Sequence, residues 1–122
     1  MKTTQEKALN AYAALNRMAQ RSMNSFTAYK LFKLKKALQD PVDFRIEQER
    51  KMIEELGGTM TETGQAVLES ESQKAFNEKV KELNAMECEI EREKTVIFLA
   101  EIKDISLAEI EALEDFIEWK EK

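Results

Sequence analysis

Apolar residues recur along this chain at three- and four-residue steps, separated by polar or glycine-marked breaks, and that rhythm predicts a mainly α-helical protein. Leu9, Tyr12, Leu15 and Met18 or Ala19 mark a first helix over residues 5 to 21. SMNS, residues 22 to 25, interrupts it, and Asn24 or Ser25 carries the short side-chain oxygen that caps a following helix. Leu31, Leu34 and Leu38 share one seam, which places a second helix over residues 26 to 39. In QDPVDF, Asp40 as cap, Pro41 at the first helical position and Asp43 in the first turn predict a new helix over 41 to 56, since proline's missing amide is not needed there. The rival reading is one long helix kinked at Pro41. Val42, Ile46, Ile53 and Leu56 form a short coiled-coil-like stripe with Glu49 in the remaining seam position, and Gly57-Gly58 ends it.

Beyond the glycines, TMTE and QAVLE flank Thr63-Gly64 and predict a small β-hairpin with strands near 59 to 62 and 65 to 69. Ser70 and Gln73 form a capping-box pattern at the head of a helix over 71 to 92, whose Phe76, Val80, Leu83 and Ile90 repeat the earlier stripe with Glu87 as the interruption. The helices on either side of the hairpin read as antiparallel partners. TVIFLAEI, β-branched and aromatic, predicts an extended segment over 95 to 102. A second capping box, Ser106 with Glu109, opens a last helix over 107 to 120 with a wide apolar surface of Leu107, Ile110, Leu113, Phe116, Ile117 and Trp119. The expected fold is thus a helical hairpin or bundle in one domain, residues 1 to 122, with a small β-hairpin or extended element and a C-terminal docking helix.

Composition agrees with that picture. With 43% apolar residues, 35% charged, three glycines and one proline, the chain has the balance of a helical, well-solvated domain with a modest core. It contains no apolar run long enough to span a bilayer, and MKTTQEKALNAYAALNRM lacks the features of a secretory signal, so a cytoplasmic location is expected. A lone cysteine, Cys88, precludes an internal disulfide and agrees with a reducing compartment.

Charge is distributed unevenly. Residues 1 to 51 hold 11 basic and 5 acidic side chains, whereas residues 52 to 122 hold 8 basic and 19 acidic, in a chain of net charge −5. Either the halves neutralise each other by packing, or each offers itself to a partner of opposite sign.

The block AYKLFKLKKALQDPVDFRIEQERKMIEELGG, the glycine-marked hairpin, the charged KVKELNAMECEIE, the extended VIFLAEI and the closing EIEALEDFIEW together resemble a family of small tailed-phage and prophage proteins of unknown function. The resemblance covers roughly residues 9 to 122 and is carried most by Ala28-Tyr29-Lys30-Leu31, the Phe44 to Arg50 helix and Glu82-Leu83. It implies a phage origin, expression inside a bacterial host, and a structural or interaction role without enzymatic activity.

The side chains themselves argue in the same direction. Histidine, the commonest general base and transition-metal ligand, is absent. Glu87 and Glu89 flank Cys88 and are expected to raise its pKa, weakening it as a nucleophile. No phosphate-binding GxxxxGK[ST] loop occurs, and one cysteine cannot build a zinc site. Glu111, Asp115 and Glu118 fall at four- and three-residue steps on one expected face of the last helix, and Glu87 with Glu91 are one turn apart; without a DxDxDG-type loop, such faces read as solvated surface and not as a divalent-cation site. No catalytic residue, cofactor, metal or small-molecule substrate is therefore expected.

The sharpest candidate surface is AYKLFKLKKAL, residues 28 to 38. Tyr29 and Phe32, flanked by Lys33 and Lys36, have the composition of a base-stacking, phosphate-neutralising strip. The need of a small domain for core material favours a plainer reading, in which the C-terminal helix covers both rings and the lysine stems lie along them. Together with Arg45 and Arg50 on the basic side, and Glu111, Asp115, Glu118 and Trp119 on the acidic one, these residues are the candidate partner-binding set. Three roles follow: a phage interaction protein that self-associates or binds a phage assembly protein or a host protein; a nucleic-acid-binding accessory factor using the basic residues 17 to 51; or an acidic decoy of a host nucleic-acid enzyme. No membrane partner is expected.

Overall fold

A computed structural model of the chain describes residues 1 to 60 and 66 to 121. Among these residues the architecture is mainly helical, as the pattern predicts. The chain opens with a three-residue strand, β1 (Lys2–Thr4), and enters α1 (Gln5–Met18) where the Thr4 hydroxyl accepts the Lys7 amide at 3.3 Å. The buried stripe of α1 is Ala8, Ala11, Ala14, Leu15 and Met18, one position off the expected Leu9-Tyr12 stripe, both of which are only half-buried. Three alanines face inward because α1 packs against three other helices, and small side chains allow close approach.

α2 (Ser25–Glu55) is a single helix of 31 residues, about 46 Å long at 1.5 Å per residue. Asn24 caps it, its Oδ1 accepting the Thr27 amide at 2.9 Å. Pro41 therefore does not start a second helix; it lies inside the first. Leu31, Leu34, Leu38, Pro41, Val42 and Arg45 form one continuous buried stripe through the proline. An interior proline costs about 3 kcal/mol, whereas each buried leucine on that stripe contributes roughly 1.5–3 kcal/mol, so packing carries the helix through. At its far end the Gly58 amide donates to the Ile53 carbonyl at 2.8 Å and the Gly57 amide to Glu54 at 3.1 Å, with Gly57 at φ +73°. That is the glycine stop the sequence predicts.

Strands β2 (Thr59–Met60) and β3 (Ala66–Val67) pair antiparallel, bearing out the hairpin; its expected turn at Thr63-Gly64 lies outside the described residues. α3 (Ser70–Ala85) is shorter than the expected 71 to 92, and its N-cap is Glu69 without a side-chain cap, so Ser70 and Gln73 do not form the box. The chain leaves the helix at Met86 because β4 (Glu87–Glu89) pairs antiparallel with β1, with Thr3 opposite Cys88. α3 runs antiparallel to the distal half of α2, joined by Arg45 to Asn84 at 2.7 Å, Lys79 to Glu55 at 3.6 Å and the Ser72 hydroxyl to the Leu56 carbonyl at 3.2 Å. Ile46 is not in that seam; it is 58% exposed, because Arg45 takes the inward position.

β5 (Thr95–Phe98) is followed by a single 3-10 turn, Leu99–Glu101, in place of an extended run to 102. Helix α4 (Leu107–Leu113) opens with the predicted Ser106–Glu109 capping box but stops at Leu113, seven residues short of expectation. Residues Ile117–Lys120 form β6, parallel to β5, with Thr95 opposite Ile117 and Phe98 opposite Lys120. The core lies where α1, the proximal half of α2, α4 and the β5–β6 pair meet, with Leu34, Leu38, Ile97, Leu113, Phe116 and Ile117 almost wholly enclosed.

Candidate interaction face on the long helix

α2 buries Leu31, Leu34 and Leu38 against the core, and helical geometry turns Tyr29 and Lys36 to the opposite side. No acidic residue occurs between Ser25 and Gln39, so this side of the helix is uniformly basic. The expectation that the C-terminal helix covers Tyr29 and Phe32 is overturned: their relative exposures are 58% and 52%. The covering element does not exist at the required length, because α4 ends at Leu113 and β6 sits beside β5.

The two rings pair with each other, their centroids 6.3 Å apart and their planes 27° from parallel. Lys33 Nζ lies over the Tyr29 ring and Lys36 Nζ over the Phe32 ring, each 5.4 Å from the centroid, the spacing at which an ammonium is attracted to an aromatic face. Lys35 makes the same contact with Tyr12 on α1, and the Tyr12 hydroxyl donates to Gln39 Oε1 at 3.0 Å. Phe26, 83% exposed, extends the apolar strip toward the head of α2. The leucine spacing drew attention to the helix's inner seam; Phe26 was legible only as a residue three positions before Tyr29, on its side of the wheel. A hollow of about 340 Å³ between α1 and α2 is lined by Leu15, Met18, Met23, Leu31 and Phe32, together with Arg21 and Lys35.

Other members of the expected set are elsewhere and engaged. Arg45 is 5% exposed and bonds Glu49 at 3.1 Å as well as Asn84, so it joins two helices and presents no charge to solvent. Arg50 is exposed but held between Glu47 at 2.6 Å and Glu54 at 2.9 Å; the hydrogen bond from Arg50 keeps the Glu47 carboxyl below its ordinary range. Glu111, Asp115 and Glu118 do not share a helical face: the first is on α4, the second in the turn after it, paired with Lys7 at 3.1 Å, and the third on β6. Trp119 is half-buried against the core. Burial, and secondarily the charge of Glu89, pushes the Cys88 thiol above its usual pKa.

Among the described residues no three acidic or cysteine side chains converge as metal ligands, and no helix is long and apolar enough to cross a membrane. No protein-family model, curated protein or solved structure matches the chain.

Proposed function

We propose that this chain is a non-catalytic, phage-encoded interaction protein of the bacterial cytoplasm, binding an acidic surface on a phage assembly protein or a host protein through the basic aromatic face of α2. The phage assignment rests on the family resemblance of the sequence. The binding face rests on one observation: Tyr29 and Phe32 stand exposed with Lys33 and Lys36 over their rings. Exposed aromatics ringed by charge are what protein-binding patches present, the rings supplying contact area and the lysines steering and orienting the partner.

Single-stranded nucleic acid on the same face is the second reading, favoured by the lysines that flank the exposed rings. The protein partner takes precedence because each ring already has an ammonium over a face that a stacking base would need.

The test compares capture from phage-infected lysate by the native chain and by a Lys33→Glu, Lys36→Glu variant, each with and without nuclease. A protein that survives nuclease and is lost with the charge reversal is the expected result. Recovery that nuclease abolishes would transfer the face to nucleic acid, and recovery indifferent to the reversal would remove α2 as the binding surface.

A further inference from the structure

α1 and α2 lie side by side, and two hollows of about 340 and 290 Å³ follow one another along the groove between them. On α2 the first is lined by Ala28, Leu31, Phe32 and Lys35, and the second by Phe32, Lys35, Lys36 and Gln39. Each set has the spacing i, i+3, i+4, i+7, and the second is the first moved on by four residues, about 6 Å along the helix. Side chains so spaced form the hole that receives one knob of a packed helix. α1 supplies the other wall, with Leu15 and Met18 in the first hollow and Tyr12 in the second. Ala28, Phe32 and Lys36 are exposed, so the groove is open to solvent.

We infer that this groove seats an acidic amphipathic helix of a partner protein, whose apolar side chains at i and i+4 fill the two hollows. The inference rests on the reading of α2 as a protein-binding face and names the form that its partner takes. Phe32 lines both hollows and also pairs with Tyr29, which joins the groove to the exposed face. The walls select a helix: two holes one turn apart match side chains one turn apart. An extended segment would find no backbone to pair with, because both walls are helices whose own backbone groups are already bonded. The charges select the sign: Arg21, Lys35 and Lys36 line the hollows and no acidic side chain does. Arg21 is paired with Glu109, so the two lysines, lying over the Tyr12 and Phe32 rings, carry most of the complementarity. Acidic α4 of a second copy does not fit the groove, since its exposed apolar residue, Leu107, has Glu111 one turn on.

The test selects binders of the full chain from a displayed library of helix-forming peptides randomised along one face. Enriched sequences carry Asp or Glu together with Leu, Met or aromatic residues at i and i+4. For the tightest of them, alanine at either apolar position lowers the affinity about tenfold or more, the loss expected for a buried side chain of that size. Ala28→Glu, at an exposed site and with circular dichroism confirming the fold, sets a like charge in the first hollow and lowers the affinity by a similar factor. Enrichment of basic or purely apolar sequences, of acidic ones without the i, i+4 pair, or of none, overturns the inference, as does binding indifferent to Ala28→Glu. The two readings fail separately. If the selection fails while lysate capture is still lost with Lys33→Glu, Lys36→Glu, the α2 face stands without its helical occupant; capture indifferent to that reversal removes both.

Discussion

Arg21 Nη2 lies 2.9 Å from Glu109 Oε2, joining the end of α1 to the start of α4 through a carboxylate that is 2% exposed. The same guanidinium donates to the Asp104 carbonyl, and Glu109 Oε1 accepts the Ser106 amide at 3.0 Å, so one side chain closes the capping box and anchors the helix to the core.

Removing Arg21 leaves that carboxylate buried without its counter-charge. Arg21→Ala should destabilise the protein by about 2–3 kcal/mol, somewhat below the cost for a wholly buried pair because Arg21 is partly exposed. Combining it with Glu109→Gln should recover roughly 1 kcal/mol or more, since the amide keeps the cap without the charge. Urea unfolding measures both, and additive losses would show that the pair is not coupled.

Arg45 and Arg50 are five residues apart on the same helix, yet they should respond oppositely to mutation. Arg45→Ala strands Asn84 and breaks the link between α2 and α3, at a cost of about 2–3 kcal/mol. Arg50→Ala removes only exposed, solvent-screened pairs and should leave the unfolding midpoint almost unchanged. Equal effects in thermal or urea unfolding would place Arg45 at the surface.

Pro41→Ala restores an amide to the ladder inside α2 and removes the ring's clash with the preceding turn. Pro41 is buried, so some packing is lost; the net expectation is stabilisation of about 1–2 kcal/mol. A lower melting temperature would mean that the proline's packing outweighs its backbone cost.

These features differ in how far the sequence discloses them. Asn24 as cap, the Ser106–Glu109 box and the Gly57 stop are local chemistry, and each is legible because the residues that make it are neighbours in the chain. β6 is not legible: Phe116, Ile117 and Trp119 continue a helical rhythm, and what overrides it is a ladder with Thr95–Phe98, some twenty residues upstream. β1 is hidden for the same reason, its partner being Glu87–Glu89. The exposure of Tyr29 and Phe32 follows from β6, since the helix expected to cover them becomes a strand. The candidate residues were thus nameable from the sequence, but which of them face solvent depended on long-range pairing.

Cys88 offers a pH test. Because burial and Glu89 raise its folded-state pKa, alkylation of the native chain should reach half its maximal rate at a higher pH than in the urea-unfolded chain. The corresponding stability contribution is fully present below the unfolded thiol's pKa and is lost as pH rises through the folded one. Coincident alkylation profiles would contradict the burial of the thiol.

Replacing Phe32 by a photo-crosslinking phenylalanine analogue tests the proposed binding face most directly, with the same analogue at exposed Phe44, farther along α2 beyond the basic strip, as the control. Irradiation of phage-infected cells should give a nuclease-resistant protein adduct from position 32 that disappears in the Lys33→Glu, Lys36→Glu background, and none of that adduct from position 44. Nucleic-acid adducts from position 32, or the same protein adduct from both positions, would contradict the account.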